Sequence, residues 1–210
     1  MAKSPSIEIL DQVMQSVAPL LTGKGYRKSA RSFVAETDGV ARLLQFQTSQ
    51  LNKPEEAAFT LSLSVHSGAF HEAYTGKPFP KNRSTSEPVV AAKIGRLLPD
   101  GEDVWWSLKP GVSPALVSRE VDALLREHAL PFLDRFSSEA ALLQELEHGE
   151  GLPGFSAMRE RCRAVLLAKN GKKDLAAKAL SALLEANAAE GLEGFRDSVH
   201  VLAGRLGVKV

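Results

Sequence analysis

Residues 59–67 read FTLSLSVHS, and this short stretch restricts the fold more than any other part of the chain. Phe59, Leu61, Leu63 and Val65 alternate with Thr60, Ser62, Ser64 and His66. Successive side chains of an extended chain point to opposite faces, so the pattern is a strand with one apolar and one polar face. A helix would scatter both sets around its circumference. The chain must therefore build a sheet that buries one face and presents a polar one.

Neighbouring segments supply the other strands. VARLLQFQTSQL (40–51) sets Leu44 and Phe46 toward the core and Gln45, Gln47 and Ser49 the other way. ARSFVAET (30–37) reads as a further strand, turned back at Asp38-Gly39. Asp-Gly between two strand-like runs is a strong hairpin signal, because the favoured two-residue turn needs positive φ at both positions. The polar connection NKPEEAA predicts a looser second hairpin, and EDVWWSLKPG (102–111) reads as one more strand. Between them, GKPFPKNRSTSEP (76–88) reads as a loop and VVAAKIGRLL (89–98) as a short helix.

Helical periodicity dominates the rest. Ile7, Leu10, Val13, Met14, Val17 and Leu21 form one stripe, entered at Ser4-Pro5 and stopped by Gly23 and Gly25. Ser113-Pro114 opens another helix, which Pro131 should divide before it resumes through SSEAALLQELEH. GEGLPG (149–154) has linker composition, and three helical patterns follow at 155–169, 173–188 and 191–206. Within them, Ala164, Leu167, Ala168, Gly171, Ala176 and Leu180 resemble a single tetratricopeptide-like hairpin, with no second copy. The expected fold is α+β: an antiparallel sheet of about four strands, helices on one face, and a small C-terminal helical segment. The expected domains are an α+β domain over 1–150 and a helical tail over 151–210.

The helix, GYRKSARSFV, LLQFQTSQLN and FTLSLSVHSG, in that order, resemble the bacterial family catalogued as domain of unknown function 4304. Gly25-Tyr26-Arg27-Lys28, Arg31, Phe33, Phe46-Gln47-Thr48-Ser49 and Phe59-Thr60 carry the resemblance. Trp105-Trp106 and LPFLDRF (130–136) look like its later landmarks, so it covers about residues 5 to 148. The resemblance implies an α+β fold and no function.

Bulk charge narrows the function classes. Twenty-six basic and 25 acidic side chains nearly cancel, whereas a dedicated nucleic-acid binder carries a basic excess. Nucleic acid is therefore not the expected partner. The single cysteine, Cys162, excludes an intrachain disulfide and fits a reducing compartment. Glu8 and Asp11 interrupt any leader-like apolar run, and no run has the length of a membrane span. The expected location is the cytoplasm, away from the membrane.

Catalytic patterns are missing. HEAYT (71–75) has Thr75 where a zinc-protease helix needs its second histidine, so no metal is expected. His66 reads as a solvent-facing strand-end histidine. Gly76-Lys77 is followed by Pro78, not a hydroxyl residue, and is no phosphate loop. Cys162 sits between Arg161 and Arg163 but continues into apolar residues, which favours a packed thiol. No cofactor is implied, and an enzyme with a dispersed site stays open as an alternative.

The binding candidates are more distinctive. Gln45, Gln47, Ser49, Ser62, Ser64 and His66 form a polar, almost uncharged sheet face, and one of Trp105 and Trp106 must join it. Amides and hydroxyls beside an exposed indole suit recognition of another protein. The leading expectation is a non-enzymatic binding module, immunity-like by analogy only. Arg27, Lys28 and Arg31 form a basic cluster, with a second along Arg159–Lys173. They support the alternative of nucleic-acid or phosphate-ligand binding, although strand alternation splits Lys28 from Arg27 and Arg31.

Overall fold

A computed structural model describes residues 5–49, 57–149 and 151–210. Helix α1 (Pro5–Gly23) buries Leu10, Val13, Met14, Val17 and Leu21 along the expected stripe. Pro19 offers no N–H to the Gln15 carbonyl one turn before it, and in the last turn the Thr22 hydroxyl donates to the carbonyls of Ala18 and Pro19. Strands β1 (Arg27–Ser29), β2 (Ser32–Thr37), β3 (Val40–Thr48) and β4 (Ala58–Ser67) follow in order. The sheet runs β1-β2-β3-β4-β5, and β6 also pairs with β4. The fold is α+β, with more strands than sequence reading expects.

Several expectations are corrected. Residues 30–37 do not form one strand: Ala30 adopts φ 53°, and a tight turn there separates β1 from β2. Residues 89–98 are not a helix but β5 (Val90–Lys93) running into a 3-10 turn at Ile94–Leu97. Val90 and Ala92 are buried and alternate with half-buried Ala91 and Lys93, so sheet burial overrides the helix preference of the alanines. The strand at 102–111 contracts to β6 (Trp106–Ser107). Here the chain at Glu102 runs so close to Gly95 that a Cβ on Gly95 would lie 1.8 Å from the Glu102 carbonyl oxygen.

Pro131 does not divide its helix. Helix α3 (Pro114–Leu124) passes through a π turn at Leu125–Ala129 into α4 (Leu130–Asp134). The Leu130 N–H reaches back to the Leu125 carbonyl, five residues away. The widened turn makes room for a proline ring that a regular helix would expel. The break falls instead before α5 (Glu139–His148), where the Ser138 hydroxyl accepts the Ala141 N–H at 3.1 Å.

Two compact units contain these elements. The first comprises Met1–Glu36, Arg42–Ser64 and Ala91–Asp134. In it α1 lies against α3, and Phe33, Phe46, Phe59 and Trp106 form a chain of ring contacts with centroids 6.2, 5.7 and 5.0 Å apart. Each such pair adds about 0.5–1.5 kcal/mol beyond simple burial. The second unit comprises Thr37–Ala41, Val65–Val90 and Arg135–Val210. Its helices are α2 (Gly68–Thr75), α5, α6 (Ser156–Lys169), α7 (Lys173–Ala186) and α8 (Glu193–Leu206). Helix α6 is central: it meets α2, α5, α7 and α8 and buries Cys162, Ala164, Val165, Leu166 and Leu167.

Candidate functional site

Register assembles the polar face. Asp38 and Gly39 both have positive φ, 46° and 75°, giving the two-residue turn that joins β2 to β3. The Phe46 N–H donates to the Arg31 carbonyl at 2.9 Å, so Ser32 lies against Gln45. The Ser49 N–H donates to the Ala58 carbonyl at 2.9 Å, which sets Gln45 against Ser62. Ser29 pairs with Ser32 on β1. A row of four uncharged polar side chains, Ser29, Ser32, Gln45 and Ser62, therefore crosses four strands. At the usual interstrand spacing the row is about 14 Å long.

Beside it lie Gln47 and Thr60. Phe59 pairs with Trp106, so Thr60 and Trp105, the next residues along antiparallel strands, both turn to the polar face. Trp106 is buried, and its indole N–H donates to Glu120 at 3.0 Å. Trp105 is 40% exposed, with the Lys93 ammonium 5.2 Å from its ring centre and Asp103 3.1 Å from that ammonium. Gln45 and Gln47 are exposed, Ser49, Ser62 and Ser64 half-buried. Thr60 is fully buried, and its hydroxyl oxygen makes no hydrogen bond.

His66 departs from the solvent-facing expectation. It is 3% exposed, and its Nδ1 lies 2.8 Å from Ser86 Oγ. The Ser86 hydroxyl itself donates to the Arg83 carbonyl, so the imidazole must supply the proton of the shared bond. Burial, with a smaller contribution from His71, lowers the imidazole to about 4 against the opposing hydrogen bonds to the Ser86 and Glu87 backbone. The sequence gives no sign of this, because strand alternation cannot reveal that residues 76–88 fold over the strand end.

The basic cluster is split as strand alternation requires. Arg27 pairs with Val34 on the polar side, and Lys28 pairs with the core residue Phe33 on the other. Arg31 sits in the turn and donates to Thr48 at 3.3 Å. Most of the second basic stretch is engaged. Arg163 pairs with Glu160 and Lys169 with Glu139, while Arg161 is buried with its guanidinium over the Phe195 ring and bonded to Ser198 at 2.7 Å.

Sequence reading missed one polar cluster at the edge of the core. Arg42, on the apolar side of β3, is buried and pairs with Asp134 at 3.0 Å, and its guanidinium lies 5.8 Å from the Tyr26 ring centre. Burial raises the Tyr26 hydroxyl to about 12, opposed by Arg42 and assisted by Asp134. An arginine at an inward strand position was the available signal.

The second unit holds an open groove of about 610 Å³, lined by Gly39, Phe79, Glu72, Glu139, Lys169 and Arg205 among others. Its charges are largely committed: Lys169 pairs with Glu139, and Arg205 donates to the Ala73 and Tyr74 carbonyls. Burial pushes the Cys162 thiol well above its ordinary range, as expected of a packed cysteine. Among the described residues no group of His, Cys, Asp and Glu could hold a metal ion. Among the described residues no helix is long and apolar enough to cross a membrane.

No curated protein and no solved structure matches the chain. The family model described as Domain of unknown function (DUF4304) matches residues 17–135, the stretch that carries the strand landmarks and both tryptophans. That match covers more than half of the 210 residues, and the chain belongs to this family.

Proposed function

We propose that this chain is a non-enzymatic, cytoplasmic binding module of a bacterial cell that docks another protein on the polar face of its sheet. The observation that carries the reading is the row Ser29–Ser32–Gln45–Ser62 with Gln47 and Trp105 beside it. This face offers amides and hydroxyls, which donate and accept hydrogen bonds without carrying charge. Docking a complementary surface would satisfy those groups and bury the exposed part of the indole, the composition of an interface hot spot.

Gln47→Ala combined with Trp105→Ala tests the proposal, since both side chains are exposed and the core keeps Trp106. Quantitative pull-down from the native cell should recover a partner with the unaltered chain and lose it at least thirtyfold with the double variant, about 2 kcal/mol at a hot spot. Equal recovery by a double variant with unchanged thermal unfolding would refute the reading.

A further inference from the structure

The other end of the sheet offers a second kind of surface. β1 stands first in the strand order and is paired on one side only. All three of its residues are exposed. Lys24, Arg27 and Lys28 beside that edge have no acidic partner among the described residues. An open edge carries unused backbone donors and acceptors and accepts an added strand.

Charge decides which strand it accepts. Arg27 projects on the polar side of the sheet and Lys28 on the other, following their partners Val34 and Phe33. An added strand alternates in the same way, so acidic residues at consecutive positions would meet one cation on each face. The edge of a second copy would bring cation against cation and be repelled. The same two residues thus refuse self-association and favour an acidic strand. We infer that β1 is a docking edge for an extended acidic segment of a protein partner, which joins the sheet as a further strand. This inference rests on the protein-binding reading but uses a surface distinct from Gln45, Gln47 and Trp105.

The test uses the full chain and a fluorescent peptide, Thr-Val-Glu-Glu-Glu-Glu-Val-Thr, followed by anisotropy at low and high salt. Two control peptides replace the glutamates with lysine or carry N-methyl groups at alternate backbone nitrogens. The acidic peptide should bind, and binding should weaken with salt. The lysine peptide should not bind, and N-methylation should cost at least tenfold. Arg27→Glu with Lys28→Glu should abolish binding with an unchanged melting curve, and the milder Arg27→Gln with Lys28→Gln should weaken it. Gln47→Ala with Trp105→Ala should leave peptide binding intact. Failure of the acidic peptide to bind, or equal binding of the N-methylated one, overturns the inference. If the peptide fails while Gln47→Ala/Trp105→Ala still loses the cellular partner, the edge falls and the polar face stands. Peptide binding without any effect of that double variant on the partner gives the converse.

Discussion

His66 couples one hydrogen bond to the acid stability of the fold. Its ring donates to Ser86 inside the protein, and burial holds its pKa near 4 against an ordinary 6.5. Between those values the unfolded chain takes up a proton that the folded chain refuses. Stability is therefore complete above about pH 6.5 and falls as the pH drops toward 4, by up to about 3 kcal/mol. Urea unfolding at pH 7.5 and pH 5 should show this loss in the unaltered chain and a clearly smaller one in His66→Gln. An identical loss in both would assign the acid sensitivity to other groups. Arg161 poses the complementary case, a buried cation with no carboxylate partner among the described residues, whose charge is met by the Phe195 and Tyr74 rings, the Ser198 hydroxyl and the Phe195 carbonyl. Burial lowers its pKa from the ordinary arginine value.

At the scale of elements, glycines separate close packing from mere flexibility. A methyl group on Gly95 would meet the Glu102 carbonyl at 1.8 Å and the Val104 nitrogen at 3.0 Å, both backbone atoms that cannot swing aside. Gly95→Ala should cost about 3 kcal/mol as the segment leading into β6 is forced away. Gly204, inside α8, meets nothing within 4 Å, and Gly204→Ala should gain about 0.5–1 kcal/mol from helix propensity. Denaturant midpoints check both, and a gain at Gly95 would contradict the close approach. The same contrast explains what could be read from the chain. β4 and the Asp38-Gly39 turn were legible because alternation and positive φ are local properties. β5 was not, because Val-Val-Ala-Ala has no alternation and only its place in the sheet makes it a strand. Nor was the passage of the helix through Pro131, where the π turn has no sequence pattern of its own. On the candidate face, Gln45 and Gln47 stood out from strand parity alone. The burial of Thr60 and His66 did not, since it depends on how the chain packs around that face.

For the whole molecule, charge is balanced in sum and partly engaged in place. The net charge is +1, and Arg161, Arg163 and Lys169 are buried or paired. Lys24, Arg27 and Lys28 beside β1 have no acidic partner among the described residues, and neither do Lys172, Lys173 and Lys178. Duplex DNA and single-stranded RNA should therefore show no retention above about 0.15 M salt, where counterion release has removed weak phosphate contacts. Salt-resistant binding in a shift assay would restore the nucleic-acid alternative.

Two adjacent tryptophans, Trp106 in β6 and Trp105 just before it, also give the protein two separate optical reporters. Trp106, stacked on Phe59 and 6% exposed, should emit at short wavelength and resist iodide quenching until the core opens. Trp105, 40% exposed, should emit at longer wavelength and be quenched in the folded state. Occupation of the polar face would shield the second signal and leave the first unchanged, whereas unfolding would shift the first. A single cuvette could thus tell a docked partner from a melting core without any added label.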